Sequence, residues 1–222
     1  MFLEIPDLLS AAEVARLVEI ARTRPFIDGR VTNPHSKVKA NLQLEYGDPA
    51  YAESSRLMAQ ALQRSETFRN ATFPKVMAPP MLTRYRHGHA YGLHSDAAFM
   101  PIGERPLRSD LSCTIFVSGS EAYEGGDLTV QLGAQRVRLR GAAGSAVVYP
   151  SDTLHEVTPV TAGERVVGLT FIESRIADAT RRGLLHELNE VAALEGLSMD
   201  WDNFSRLQHV QMGLLRMWAD PN

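Results

Sequence analysis

The sequence predicts an α+β protein whose core is mainly β, with helices before the core and a helical tail after it. Three observations carry that expectation. Apolar residues recur at helical spacing near the N-terminus and again beyond Ser174. Between about residue 81 and residue 174 the texture changes to short β-rich runs separated by Gly, Pro, Ser and Asp. The chain has 222 residues, 44% of them hydrophobic and 22% charged, which is ordinary for a globular protein able to bury a core without disulfides.

The elements follow in order. Ser10 and Glu13 stand at capping-box spacing, and Val14, Leu17, Val18 and Ala21 then share one helical face up to Pro25. Asp48 followed by Pro49 opens a second helix, expected to run to about residue 66 through Leu57, Met58, Ala61 and Leu62. Seven strands are expected next: 81–87, 111–118, 128–132, 136–140, 145–149, 156–160 and 165–174. Short strands at regular spacing indicate an antiparallel sandwich or barrel. Gly125 and Gly126 mark a turn, since paired glycines admit the positive φ that tight turns need. In the tail, Leu184, Leu185, Leu188, Val191 and Ala192 form one stripe. Trp201, Phe204, Leu207, Leu214 and Trp218 form another beyond Gly196, and both are expected to pack on the sheet or on each other.

Composition excludes several functional classes. Lys+Arg total 23 against 26 Asp+Glu, a formal net charge of -3, which argues against a nucleic-acid or membrane-surface partner. Cys113 is the only cysteine, so an internal disulfide, a Cys-rich zinc site and an iron–sulfur cluster are all ruled out. The N-terminal residues lack the basic and apolar regions of a signal peptide, and no run reaches the roughly 20 apolar residues of a membrane span. A cytoplasmic protein is expected.

Four features of the β region carry candidate chemistry. His94 and Asp96 are two apart, so on an extended segment both face one side and can offer a nitrogen and a carboxylate oxygen to one ion. A facial triad of two histidines and one carboxylate needs a third ligand from a distant strand, and His155, starting a late strand, is best placed for it. His35, His186 and His209 fit less well, while His87 and His89, flanking Gly88, stay in reserve. Arg165 follows His155 across the turn Thr161-Ala162-Gly163, and a hairpin there would set it near His155 but deeper. A guanidinium in that position must pair with an anion, best a bidentate carboxylate. Tyr85 and Tyr91 flank Gly88 ahead of the dyad, and a phenol near such an arginine can donate to the same anion. Each feature alone has an ordinary explanation as a rim polar residue or a strand residue. Their coincidence points to a site.

The spacing Tyr85-x-x-Gly88-x-x-Tyr91-x-x-His94-x-Asp96, with Gly125-Gly126-Asp127, His155 and Arg165, resembles the prolyl-4-hydroxylase-type Fe(II)/2-oxoglutarate dioxygenases. More narrowly, the runs 38–44, 108–112, 149–151 and 155–161 are similar to bacterial PKHD-type hydroxylases, and the likeness extends from about Phe26 to Leu188. The resemblance implies a double-stranded β-helix (jelly-roll) domain over residues 1–175, with residues 176–222 as a helical extension. It implies Fe(II) held by His94, Asp96 and His155, and 2-oxoglutarate chelated to the iron with its 5-carboxylate on Arg165. Many relatives in the wider superfamily carry Arg-x-Ser, whereas this chain reads Arg165-Val166-Val167, so by resemblance Tyr85 supplies the second donor. Dioxygen as co-reactant, succinate and carbon dioxide as products, and ascorbate as an auxiliary reductant belong to the same implication. Related halogenases place a small residue at the carboxylate position, so Asp96 favours hydroxylation.

The substrate is open at this stage: an amino acid, a peptide or protein side chain, and a siderophore-related molecule are all compatible. Substrate contacts are expected from the segments around His35–Asn41 and His87–Tyr91. The stripes of the tail could support a homo-oligomer. The rival reading is a silent metal- or small-molecule-binding β-barrel such as an iron sensor, although a sensor has no evident need for a buried cation opposite its metal.

Overall fold

The computed structural model describes residues 1–220. The chain runs through β1 (Leu3–Ile5), α1 (Ala11–Thr23), β2 (Phe26–Asp28), a 3-10 turn, β3 (Lys39–Ala40), β4 (Leu42–Leu44), α2 (Pro49–Arg64), α3 (Glu66–Thr72), β5 (Pro74–Met77), β6 (Met81–Tyr85) and β7 (Ala90–His94). Next come β8 (Phe99–Met100), β9 (Leu107–Arg108), β10 (Leu111–Phe116), β11 (Tyr123–Gly125), β12 (Leu128–Leu132), β13 (Gln135–Leu139) and β14 (Ala146–Pro150). The chain continues with β15 (His155–Val157), β16 (Val160–Gly163), β17 (Arg165–Ser174), α4 (Ala179–Glu195) and α5 (Trp201–Trp218).

Every strand pairing is antiparallel. The larger sheet has the order β1-β14-β10-β17-β6-β4-β2, with β5 paired to the far half of the long β17. The smaller sheet has the order β13-β12-β15-β7-β3. The two sheets pack face to face: Leu128, Val130 and Leu139 of the smaller meet Phe116, Val147, Tyr149 and Val167 of the larger in one buried cluster. This is the antiparallel sandwich that the strand spacing predicts, and the jelly-roll that the resemblance implies. On its outer face the larger sheet is covered by α1, α2 and α3, whose Leu17, Ile20, Met58, Leu62 and Phe68 join Leu82, Leu111, Ile115 and Ile172 in the main core. The alternation of strand β17 thus serves both faces, and its residues are nearly all buried.

Local chemistry fixes the boundaries. The capping box of α1 is complete: Glu13 N–H donates to the Ser10 hydroxyl at 3.3 Å, and Ser10 N–H donates to the Glu13 carboxylate at 2.8 Å. The helix opened by Asp48 and Pro49 ends at Arg64 rather than near residue 66. Ser65 leaves the helix there because it caps the next one, accepting from Phe68 N–H at 3.1 Å, and so creates a short α3 that the sequence reading did not anticipate. The strand expected at 156–160 is two strands. β15 stops at Val157, and Thr158-Pro159 divert the chain into β16, which pairs with β11.

The tail meets expectation in part. Leu185 is buried, but Leu184 and Val191 of the same stripe are exposed, and so is Trp201 of the second. Helix α4 packs on α3 and, as one of the expected outcomes, on α5. Asp220, past α5, is held to the barrel by an ion pair to Arg108 at 2.8 Å and by donating its N–H to Arg175 O.

The expected glycine turn lies under the site. Gly125 and Gly126 have φ of +66° and +63°, and a Cβ on Gly125 would sit 2.1 Å from the Pro159 carbonyl oxygen. A Gly125→Ala substitution should therefore cost about 2–4 kcal/mol, adding steric overlap to left-handed strain. Gly133→Ala, at φ +61° with open space around it, should cost only about 1–2 kcal/mol. Urea unfolding of both variants tests the comparison, and equal losses would contradict it.

Candidate functional site

The smaller sheet supplies one wall of an interior cavity of about 720 Å³, and the larger sheet supplies the other. His94 is the last residue of β7, and His155, the first of β15, is its register partner. The two imidazoles are therefore cross-strand neighbours, with centroids 4.3 Å apart. Asp96 lies just past the end of β7, where its N–H donates to Ser151 O at 3.1 Å. That bond turns its carboxylate toward both rings: Asp96 Oδ1 is 3.9 Å from His94 Nε2, and Oδ2 is 3.7 Å from His155 Nε2. The three offer ligand atoms within 4.8 Å of one another, the only such trio among the described residues.

Neighbouring groups orient each member. His94 Nδ1 lies 2.8 Å from Gly92 O, and His155 Nδ1 lies 2.9 Å from Thr153 O. A neutral ring that donates from Nδ1 presents an unprotonated Nε2, the form a metal needs. Burial, followed by the neighbouring His155, holds the His94 imidazole below its ordinary pKa and so favours that neutral form. Tyr91 stacks on the His94 ring at 3.6 Å, and Tyr149 meets His155 edge-on at 5.2 Å. Ser112 donates to Asp96 Oδ2 at 2.6 Å, and its hydroxyl is linked through Ser151 to Ser109.

Arg165 opens β17 and is the register partner of Tyr85 in β6. It does not form a hairpin with His155 as the sequence suggested: β15 and β17 belong to different sheets, and the residues between them pair with β11. The two side chains nevertheless line one cavity, because the sheets face each other. Arg165 is 2% exposed, forms no ion pair among the described residues, and its Nε has no hydrogen-bond partner. The guanidinium sits 5.1 Å from the centre of the Tyr85 ring. The Tyr85 hydroxyl accepts from Asn41 Nδ2 at 3.0 Å, which leaves its own proton free to donate. Burial raises the Tyr85 pKa despite the nearby guanidinium, so the phenol stays protonated.

His35, His87, His89, His186 and His209 lie outside the trio, and His87 Nδ1 instead meets Thr161 O at 2.8 Å. Of the segments expected to touch substrate, Lys39, Asn41 and Tyr91 line the cavity, but His35 and His87 do not. The role of Asn41 was not read from the sequence. The alternation Asn41-Leu42-Gln43-Leu44 is its one signal, since it sets two polar side chains on a buried face. The serine chain behind Asp96 leaves no signal, because nothing in a sequence tells these serines from others.

The comparisons with known proteins agree with this geometry. Residues 80–173 match the 2OG-Fe(II) oxygenase superfamily. Over 215 residues the chain is 51% identical to a PKHD-type hydroxylase of Sphingopyxis alaskensis, covering 97% of this chain and 98% of the relative. The chain belongs to the PKHD-type hydroxylase family. It is thus an Fe(II)- and 2-oxoglutarate-dependent dioxygenase. PKHD-type folds of this kind have solved counterparts. One is a Trichoplax adhaerens prolyl hydroxylase in complex with a hypoxia inducible factor peptide fragment, with a TM-score of 0.59 at 15% identity, covering 82% of this chain and 86% of that one. Another is HygX of Streptomyces hygroscopicus with nickel and 2-oxoglutarate bound, with a TM-score of 0.55 at 12% identity, covering 77% and 82%. The expected jelly-roll fold holds.

The residues present fit the family's cofactors. Two imidazole nitrogens and one carboxylate on one side suit a ferrous ion with open positions, and the unpaired Arg165 suits a carboxylate. Replacing Ser112 with Ala removes the bond that orients Asp96 and should weaken metal binding about 10- to 100-fold without unfolding the chain. Metal titration alongside circular dichroism reads both effects; unaltered metal affinity would show that the serine does not act on the carboxylate.

Proposed function

We propose that His94, Asp96 and His155 ligate the iron, and that Arg165 and Tyr85 hold the 5-carboxylate of 2-oxoglutarate, in an enzyme that hydroxylates a small-molecule, amino-acid or peptide substrate. One observation carries the reading: a buried guanidinium without a protein anion faces a two-histidine, one-carboxylate cluster across a single cavity. A cation taken out of water is costly unless it is paired, so the position makes sense with an anion delivered from solution.

Each side chain then has a task. Arg165 and Tyr85 fix one end of the cosubstrate, so that its keto-acid end reaches the metal. Tyr91 and Tyr149 wall the histidines and keep them from swinging. When bound, iron and 2-oxoglutarate supply the oxidising chemistry: dioxygen and 2-oxoglutarate become succinate and carbon dioxide, and one oxygen atom ends on a substrate carbon. No side chain is needed as a general base, and none is assigned. Asp96 fills the third ligand position, which favours hydroxylation over halogenation. Ascorbate as auxiliary reductant belongs to the same proposal.

Residues 1–175 are taken as the dioxygenase domain and residues 176–222 as a helical extension, of which the last two lie outside the described residues. The pairing of α4 with α5 within the tail supports that division. Exposed Leu194, Leu197, Trp201 and Met217 support self-association through the tail. Among the described residues no helix is long and apolar enough to cross a membrane, and a cytoplasmic site of action, with no nucleic-acid partner, is proposed with it.

Succinate formation from 2-oxoglutarate tests the assignment. Ala at His94, Asp96 or His155 should abolish it, and full turnover in any one variant removes that residue from the ligand set. Arg165→Ala should raise the 2-oxoglutarate KM about 10- to 100-fold, the loss of a charge-assisted pair. Tyr85→Phe should raise it about 2- to 10-fold, one neutral hydrogen bond. An unchanged KM in Arg165→Ala would place the cosubstrate elsewhere.

A further inference from the structure

Arg165 is not the only cation in the cavity without an anion. Lys39 lies in β3, the edge strand of the smaller sheet, with Tyr91 as its register partner. Its side chain lines the cavity on the His94 side, with Nζ 5.4 Å from the centre of the Tyr91 ring that stacks on His94. Nζ donates to the Thr32 hydroxyl at 2.5 Å, and that hydroxyl donates onward to Gly29 O at 3.0 Å. An ammonium has three donors, so two remain for a ligand. Nearby acids do not claim them. The carboxylate of Asp28 is held by Arg30 through bonds of 2.6 and 2.9 Å, and Asp96 faces the two histidines. Lys39 forms no ion pair among the described residues.

Charge counting sharpens the point. In the loaded site the doubly charged iron and Arg165 bring three positive charges, while Asp96 and the two carboxylates of 2-oxoglutarate bring three negative ones. Lys39 is then the surplus. Burial pulls its ammonium down to about 8, against the attraction of Asp96 and Asp28. The same cavity is lined also by the apolar side chains of Val31, Pro34, Met100, Pro101 and Ile102. The cavity's 720 Å³ lies in the upper part of the range for ligand clefts, roughly 300–1,000 Å³, and leaves room for a second molecule beside the cosubstrate.

We infer that Lys39 is the anchor for the substrate, and that the substrate carries a carboxylate on an otherwise apolar body. The inference rests on the dioxygenase reading of the cavity and narrows it: Lys39 reads the acid, the apolar lining takes the body, and the carbon to be oxidised is left facing the trio. Lysine suits the task, being a compact charge on a flexible stem that can follow an incoming acid.

The chain has only three lysines, Lys37, Lys39 and Lys75, so each can be followed by NMR of the unmodified chain labelled with carbon-13 at lysine Cε. The chain is loaded with Zn(II), a diamagnetic stand-in for iron, and with saturating 2-oxoglutarate. It is then titrated with acetate, N-acetylglycine and N-acetylleucine, and separately with acetamide and the two matching amides; Lys39→Met assigns the signal. The carboxylates should move the Lys39 resonance with saturation while Lys37 and Lys75 stay put. The most apolar acid should bind tightest, about tenfold or more above its amide. Equal responses to acid and amide, or a Lys39 shift no larger than that of Lys37, would overturn the assignment. So would saturation by inorganic phosphate but by no carboxylate. A Lys39 resonance moved fully by 2-oxoglutarate alone would also overturn it, by giving the lysine to the cosubstrate. Failure of the underlying dioxygenase reading shows separately in the same sample, as loss of Zn(II) or 2-oxoglutarate binding.

Discussion

A guanidinium withdrawn from water needs a negative partner, and the fold around Arg165 offers none among the described residues. Hydrogen bonds to carbonyls or an ion pair could have satisfied it, as Ile176 and Ala177 satisfy the equally buried Arg182. Instead the group is set against the Tyr85 ring at the start of β17, with the cavity before it. The surroundings follow from keeping that cation rigid and open to one side. Gly126 lets the β11–β12 corner approach its stem, since a Cβ there would lie 3.2 Å from Arg165 Cδ. Asn41 occupies one side of the Tyr85 hydroxyl, so that the phenol donates inward.

The opposite wall solves a different problem. Three side chains that would each prefer water must be held together without pairing off. The β7–β15 register makes His94 and His155 neighbours, and the carbonyls of Gly92 and Thr153 take their outer nitrogens. Ser112, backed by Ser151 and Ser109, donates to Oδ2 of Asp96, so that Oδ1 faces His94 and Oδ2 faces His155. Each imidazole is bonded on the side away from the cavity and open on the side toward it. That is an arrangement for an incoming ion rather than for the stability of the empty protein.

Much of this was legible in the sequence because the chemistry is local. His94 and Asp96 are two apart on an extended segment, His155 begins its strand, and β17 runs from Arg165 to Ser174 as its unbroken apolar texture suggests. What stayed hidden depends on pairing between distant segments. The turn Thr161-Ala162-Gly163 looks like the tip of a hairpin, yet β16 crosses to β11, because a proline at 159 breaks the run and the partner lies more than thirty residues back in the chain. Strand β3 is two residues long and carries no periodicity, so the place of Lys39 beside Tyr91 emerges only once β3 lies against β7. The tail was legible only in part, for the opposite reason. Its stripes are regular, but helical spacing alone does not say that a face is covered, and much of this one is open.

The function of the barrel depends on where a metal ion and a dicarboxylic keto acid settle inside it. A crystal of the protein soaked with Mn(II) and 2-oxoglutarate without oxygen, measured for manganese anomalous scattering, answers this directly. One strong peak is expected, bonded to Nε2 of both His94 and His155 and to an oxygen of Asp96, with the far carboxylate of the acid on the Arg165 guanidinium. A peak away from that trio, or a keto acid whose far carboxylate leaves Arg165 unpaired, would contradict it.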